Sequence, residues 1–319
     1  MRKAIAIICL ALAAQCQLEP AFALHGEPID ADAHGAARHY GLLNESDEHW
    51  ARRLNNALVK IDCGDNARSA HLARESDGTV RIYTTWHGVA PLMRASTQQL
   101  PRTCRMRFGP DERRLNACRL ANLQSNTRED PVDMYRRYYN NFLSGDYAAM
   151  FETTRRDWAR FEIDCDNSES GAEERAMLEA AALPILARSL GDIDSLEDQQ
   201  SLRFVAVGAL TLGHNNEPRV FSANIANDAP GMLDRTRSRA HNACIFSNYA
   251  DVGMSGGFLA AIIDEGGPDE RIALVCIINA QPPPNERRGQ LSGDRIDPDA
   301  RMMHVDVRNF GAFYPAEQR

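Results

Sequence analysis

The chain has 319 residues, 25% charged and 44% hydrophobic, with a mean hydropathy of -0.43. That excludes a multi-span membrane protein and a largely disordered chain. A net charge of -8 and a pI of about 5.6 argue against nucleic acid as a partner, because neutralising phosphates takes an excess of cations.

The first segment reads as an address. Arg2 and Lys3 precede an apolar run from Ala4 to Ala14, and Ala21-Phe22-Ala23 supplies a small-residue cleavage pattern. We therefore expect a signal peptide over 1–23, cleaved after Ala23, and a secreted or periplasmic product. The run is shorter than the roughly 20 apolar residues of a membrane span, and Gln15 before Cys16 is a poor lipidation context. Cys63, Cys104, Cys118, Cys165, Cys244 and Cys276 lie beyond that cleavage point. An even number of cysteines in an exported chain predicts disulfides. Their spacing fits no zinc pattern, so no metal or other cofactor is expected.

Residues 24–57 read as a polar lead followed by a helix from Ser46, with Trp50, Leu54, Ala57 and Leu58 on one face. Short alternating runs follow at Leu58–Ile61, Ala70–Leu72 and Val80–Thr84. The Asp77-Gly78 pair between the last two is a hairpin signal. Asp130 as cap and Pro131 as first residue open a helical insertion over 130–156, interrupted at Ser144-Gly145. A further helix is expected from about Ala172 to Leu190, ending at Gly191. Strand-like runs return at Leu202–Val207, Arg219–Ala223, Phe258–Ile263 and Ile272–Ile278, and Pro282-Pro283-Pro284 closes the last. Many short strands with helical insertions suggest two small β-domains.

Three fragments carry chemistry. In Gly253-Met254-Ser255-Gly256-Gly257, glycines let the backbone turn its N–H groups toward one point, where a developing oxyanion would sit. A serine hydroxyl needs a base, and His87 offers one at the end of the run Ile82-Tyr83-Thr84-Thr85-Trp86-His87. The other histidines, His25, His34, His39, His49, His71, His214, His241 and His304, read as structural or surface residues. A base in turn needs an orienting carboxylate. Asp157, leading the strand-like Trp158–Ile163, is preferred to Asp146, whose sequel reads as helix.

In this order, Thr84-Thr85-Trp86-His87-Gly88, Asp157-Trp158-Ala159-Arg160-Phe161-Glu162-Ile163 and Gly253-Met254-Ser255-Gly256-Gly257 resemble the T-A-A-H-C, D-I-A-L-L-K-L-like and G-D-S-G-G segments of trypsin-like serine proteases. The resemblance covers roughly 58–280 and is closer to bacterial glutamyl-endopeptidase-like members, since Met254 replaces the aspartate of the zymogen switch. It implies a mainly β fold of two six-stranded antiparallel β-barrels, chymotrypsin-like, with helical insertions. The barrels would span 58–170 and 171–319, the second with a C-terminal extension. It implies a polypeptide substrate, His87, Asp157 and Ser255 as catalytic residues, and the N–H groups of Gly253 and Ser255 as oxyanion hole. Tyr249 would stand in the specificity pocket where trypsin carries its aspartate, which speaks against strict Arg/Lys preference. Gly88 removes the family's cysteine beside the histidine, so the family's customary bridge to Cys63 is absent. Cys104 is then one candidate partner, with Cys118–Cys165 and Cys244–Cys276 one way to complete the set, and the connectivity stays open among 15. Trp86 would narrow the cleft, and Phe258 replaces a common proline.

Two other readings remain at this point. Departures at Trp86, Gly88 and Phe258 admit a catalytically inactive, protease-like binding protein. Gly253-Met254-Ser255-Gly256-Gly257 also satisfies the G-x-S-x-G nucleophile elbow of α/β-hydrolases. In that fold the serine opens a helix and a later histidine, here His304, would be the base. The Asp264-Glu265-Gly266-Gly267 turn after Ser255 reads instead as a hairpin.

Overall fold

The structure, a computed structural model, describes residues 49–63, 66–94, 97–109, 113–186, 189–197, 200–209, 221–225, 233–246, 255–280 and 309–315. The expected signal segment, the polar lead and the triple proline lie outside these residues. Among the described residues no helix is long and apolar enough to cross a membrane.

Two curled, antiparallel half-barrel sheets with helices between them make a mainly β fold, in agreement with the two-barrel expectation. The first contains β1 (Leu58–Cys63), β2 (Asn66–Arg74), β3 (Val80–Thr84), β4 (Arg105–Phe108), β5 (Arg113–Arg114), β6 (Cys118–Gln124) and β7 (Ala159–Cys165). Their order is β5-β4-β1-β2-β3-β7-β6, and the two-residue β8 (Leu183–Pro184) joins β2 in parallel. The second contains β9 (Leu202–Ala209), β10 (Phe221–Ile225), β11 (Cys244–Phe246), β12 (Phe258–Ile263), β13 (Arg271–Ala280) and β14 (Asn309–Phe313), in the order β10-β9-β12-β13-β14-β11. Among the described residues the first sheet has eight strands where six were expected, and the second has six. The additions are the two-residue β5 and β8.

Turn chemistry builds the hairpins. Gly78 takes φ +88°, and Thr79 N–H donates to Asp77 Oδ1 at 2.8 Å, closing β2 onto β3 as the Asp-Gly pair predicts. Asp264 and Gly266 adopt positive φ between β12 and β13, so strand and hairpin follow Ser255. A nucleophile elbow requires a helix there. The α/β-hydrolase reading is therefore overturned.

Strand alternation sorts the core. In β12, Phe258, Ala260 and Ile262 face a cluster shared with Leu58, Ala73, Tyr83 and Trp50, the core between the sheets. Leu259, Ala261 and Ile263 face the outer layer with Leu190 and Ile193. In β2, Ala73 faces the shared core while Ala70 and Leu72 face the first sheet's own core. Ser69 and His71 lie on the Ala73 side by the same alternation and are also buried. Each large apolar side chain buried here contributes about 1.5–3 kcal/mol.

The helices are α1 (His49–Ala57), α2 (Trp86–Val89), α3 (Pro131–Leu143), α4 (Tyr147–Arg156), α5 (Glu169–Ala181), α6 (Leu190–Glu197) and α7 (Arg235–His241). Asp130 Oδ1 accepts from Val132 N–H at 2.8 Å at the start of α3, as expected of a cap. Asp146 caps α4, accepting from Ala149 N–H at 3.0 Å. Tyr138, Met150 and Phe151 of this insertion pack on Ala243 and Ile245 beside β11, tying an excursion of the first sheet to the second.

The single helix expected over 172–190 is instead α5, β8 and α6. Leu183 precedes Pro184, and a residue before proline is driven from helical to extended backbone. Gly191, read as a terminator, lies in the first turn of α6, where Ser189 N–H donates to Asp192 Oδ2 at 3.0 Å.

Disulfides join Cys63–Cys104, Cys118–Cys165 and Cys244–Cys276, one candidate set among the 15 that the sequence leaves open. The second pins β6 to β7 and the third pins β11 to β13. Each such cross-link typically stabilises by about 2–4 kcal/mol.

Candidate active site

The β3–β7 ladder sets up the site. Thr84 pairs with Ala159 at its end. Running antiparallel, the chain leaves β3 toward His87 at the same end where it enters β7 from Asp157. Two residues far apart in sequence are thereby brought together. Thr85 is extended (φ -89°, ψ 147°), and α2 then presents His87 on a single turn. Asp157 caps the C-terminus of α4.

The carboxylate grips the histidine twice. Asp157 Oδ1 accepts from His87 backbone N–H at 2.9 Å, and Oδ2 lies 2.6 Å from His87 Nδ1. Asp157 is 7% exposed and the imidazole 34%. An ionised carboxylate only accepts, so Nδ1 carries its proton toward Asp157 and Nε2 is the basic nitrogen. Partial desolvation pulls the ring's pKa down, but the charge and hydrogen bond of Asp157 outweigh it. The net result lies above the ordinary 6.5.

Neighbours hold this pair in place. Arg68 Nε donates to Gly88 O at 3.0 Å. Asn279 Nδ2, on β13, donates to Thr154 O at 2.6 Å, tying the end of α4 to the second sheet. Trp86, expected to narrow the cleft, is buried in the first sheet's core, and its Nε1 donates to Glu129 O at 2.8 Å. Phe258 is likewise a core residue between the sheets. These departures are packing solutions, and neither removes a reactive group.

Ser255 is half-buried in the turn that enters β12. Gly256 beside it takes φ +91°, and a Cβ there would lie 2.1 Å from Ser69 O and 2.4 Å from Thr84 Oγ1. Only glycine fits both the backbone angle and the space. The serine's neighbour therefore rests against the end of β3, the strand that leads to His87. Gly256 N–H donates to Ile278 O at 2.8 Å, and Ile278 N–H returns to Gly257 O at 3.0 Å. Tyr249, Gly253 and His304 lie outside the described residues.

His71 and Asn279 were not singled out by sequence. His71 is fully buried, with Nδ1 2.9 Å from Gly256 O and Nε2 2.7 Å from Tyr314 Oη. Burial lowers its pKa to about 4, against the raising effect of the Gly256 bond. The unfolded chain takes up this proton near pH 6.5 and the folded one only near 4. Stability from this group is therefore complete above 6.5 and is lost as pH falls toward 4, by about 3 kcal/mol. Urea unfolding at pH 7.5 and 4.5 checks this. The decline should be shallower in His71→Gln, and equal declines would contradict it.

No protein-family model and no curated protein matches the chain. Among solved structures, a Glu endopeptidase determined in complex with MPD is similar at 10% identity, over 81% of this chain and 86% of that one, with a TM-score of 0.34. A likeness of that size decides no chemistry. The His87–Asp157 pair and the Gly256 turn stand on their own geometry.

Proposed function

We propose that the chain is an exported serine endopeptidase. The observation that carries this reading is the double grip of Asp157 on His87, which fixes the ring with a basic Nε2. Ser255, in the turn packed against Thr84, is the nucleophile. Its hydroxyl attacks a peptide carbonyl while His87 Nε2 takes the proton. His87 then returns it to the leaving amine, freeing one product and leaving an acyl-enzyme. Water repeats the cycle and regenerates the serine. Asp157 stabilises the imidazolium formed in each half. The N–H groups of Ser255 and Gly253 would hold the oxyanion, consistent with the glycine-bracketed sequence. Three disulfides suit an oxidising compartment and the expected signal segment.

Hydrolysis of an unfolded protein such as reduced, alkylated casein tests this. Peptides should accumulate with the wild type, and should not with Ser255→Ala or His87→Ala. His304→Ala should keep the activity. The rate should rise with pH through a midpoint above 6.5, because the base must be neutral and its pKa is raised. A rate unchanged between pH 5 and 8 contradicts the role of His87, and folded wild-type protein that binds casein without cutting it supports the inactive binding protein.

A further inference from the structure

The base and the nucleophile ride on different sheets. His87 follows β3 of the first, and Ser255 precedes β12 of the second. Their mutual distance therefore depends on how the sheets are fastened at this seam. Gly256 is a soft joint by itself, since a residue without Cβ has broad backbone freedom. Its N–H is held within the second sheet by Ile278, and its carbonyl crosses to the first sheet, where it meets His71 of β2.

The partners decide the tautomer of His71. A carbonyl can only accept, so Nδ1 carries the proton to Gly256 O. Nε2 then accepts from the Tyr314 hydroxyl. Tyr314 follows β14, and its ring meets the His71 ring edge-on with centroids 5.8 Å apart. Phe258 and Tyr83 complete the enclosure at 5.1 and 6.1 Å. The Gly256 carbonyl thus fixes which nitrogen of His71 donates, and Tyr314 holds the other nitrogen and with it the orientation of the ring, in an apolar setting.

We propose that His71, its ring held by Tyr314, is a positioning residue that pins the Gly256 carbonyl and so holds Ser255 within reach of His87. This rests on the serine-peptidase reading. His71 touches neither substrate nor reacting atoms. Without its bond the Gly256–Gly257 peptide plane loses its tie to the first sheet and the turn is fastened by the Ile278 bonds of the second, so Ser255, joined to that turn, can shift relative to His87. Misplacement on the scale of 1 Å is enough to cost about a hundredfold in rate.

The test is the rate at which a fluorophosphonate labels the full-length chain across pH, with Ser255→Ala as control. Tyr314→Phe removes only the hydroxyl and should label about tenfold more slowly while remaining folded by circular dichroism. His71→Leu should lose about a hundredfold, and His71→Gln, whose amide can donate to Gly256 O, should recover part of that. The acid-limb midpoint should match the wild type in all three, because the His87–Asp157 pair is untouched. A general loosening of the structure would shift that midpoint or would slow labelling only in proportion to the unfolded fraction, and either result overturns the proposal. If His71→Leu does not fold, Tyr314→Phe decides alone, and wild-type labelling in that folded variant overturns it. A wild type that is not labelled at Ser255 ends the peptidase reading and this inference together. A labelled wild type with unaffected variants ends this inference only.

Discussion

Asp157→Asn should slow acylation of Ser255 by about 10⁴-fold at neutral pH while the protein remains folded. The carboxylate offers two acceptors, and His87 uses both, one for its backbone N–H and one for Nδ1–H. An amide has one oxygen. With that oxygen on the backbone N–H, the amide NH₂ faces Nδ1 and forces the ring into the opposite tautomer. Nε2 then carries a proton and cannot take one from serine. The variant should also lose the charge that raises the ring's pKa, so residual activity should reach its plateau at lower pH than in the wild type. Labelling rates measured from pH 5 to 9 check both statements. A rate within tenfold of the wild type would mean that Asp157 does not set the state of His87.

Gly256→Ala should be the most damaging single methyl in the described structure. The added carbon would meet Ser69 O at 2.1 Å and Thr84 Oγ1 at 2.4 Å, and the first is a backbone atom of β2 that cannot swing aside. The backbone angle of +91° adds strain of its own. Overpacking and positive φ together should cost about 3 kcal/mol or more, and any relaxation must displace Ser255, so activity falls as well. Gly78→Ala is the matched control. Its φ is +88°, but nothing lies within 4 Å of the new carbon, so it carries the angular cost alone, about 1 kcal/mol. Urea unfolding of the two variants separates the terms. Equal losses would show that the Gly256 turn is not pressed against the first sheet.

Much of this architecture is local and was therefore readable. The Asp77-Gly78 hairpin, the Asp130–Pro131 helix start and the hairpin after Ile263 are each encoded within a few residues. The fragments around His87 and Asp157 are equally short, and the structure brings those two side chains into hydrogen-bond contact. Edge strands were harder. The edges are β5 and β6: Arg113 and Arg114 make up all of β5, and Arg119 and Asn122 interrupt the apolar pattern of β6, since an edge can leave one face in water; β4, beside β5, alternates Arg105, Met106, Arg107 and Phe108 but over four residues, too short to stand out. The α5–β8–α6 segment was misread because a helix-like pattern continues through Pro184, where pairing with β2 overrides it. His71 was invisible as a special residue. Its neighbours Ala70 and Leu72 give β2 the look of an ordinary core strand, and its partners lie 185 and 243 positions away. Asn279 is hidden for the same reason, in a strand that otherwise reads as continuous hydrophobic core.

The proposed chemistry requires that the His87 imidazole activate the Ser255 hydroxyl. Intact-mass and peptide mapping after fluorophosphonate treatment read that activation on the residue concerned. A single adduct on Ser255 is predicted, absent from Ser255→Ala and formed at least about 10³-fold more slowly in His87→Ala. Folded wild-type protein that stays unmodified, or an adduct that forms on Ser255 equally fast without His87, would contradict it.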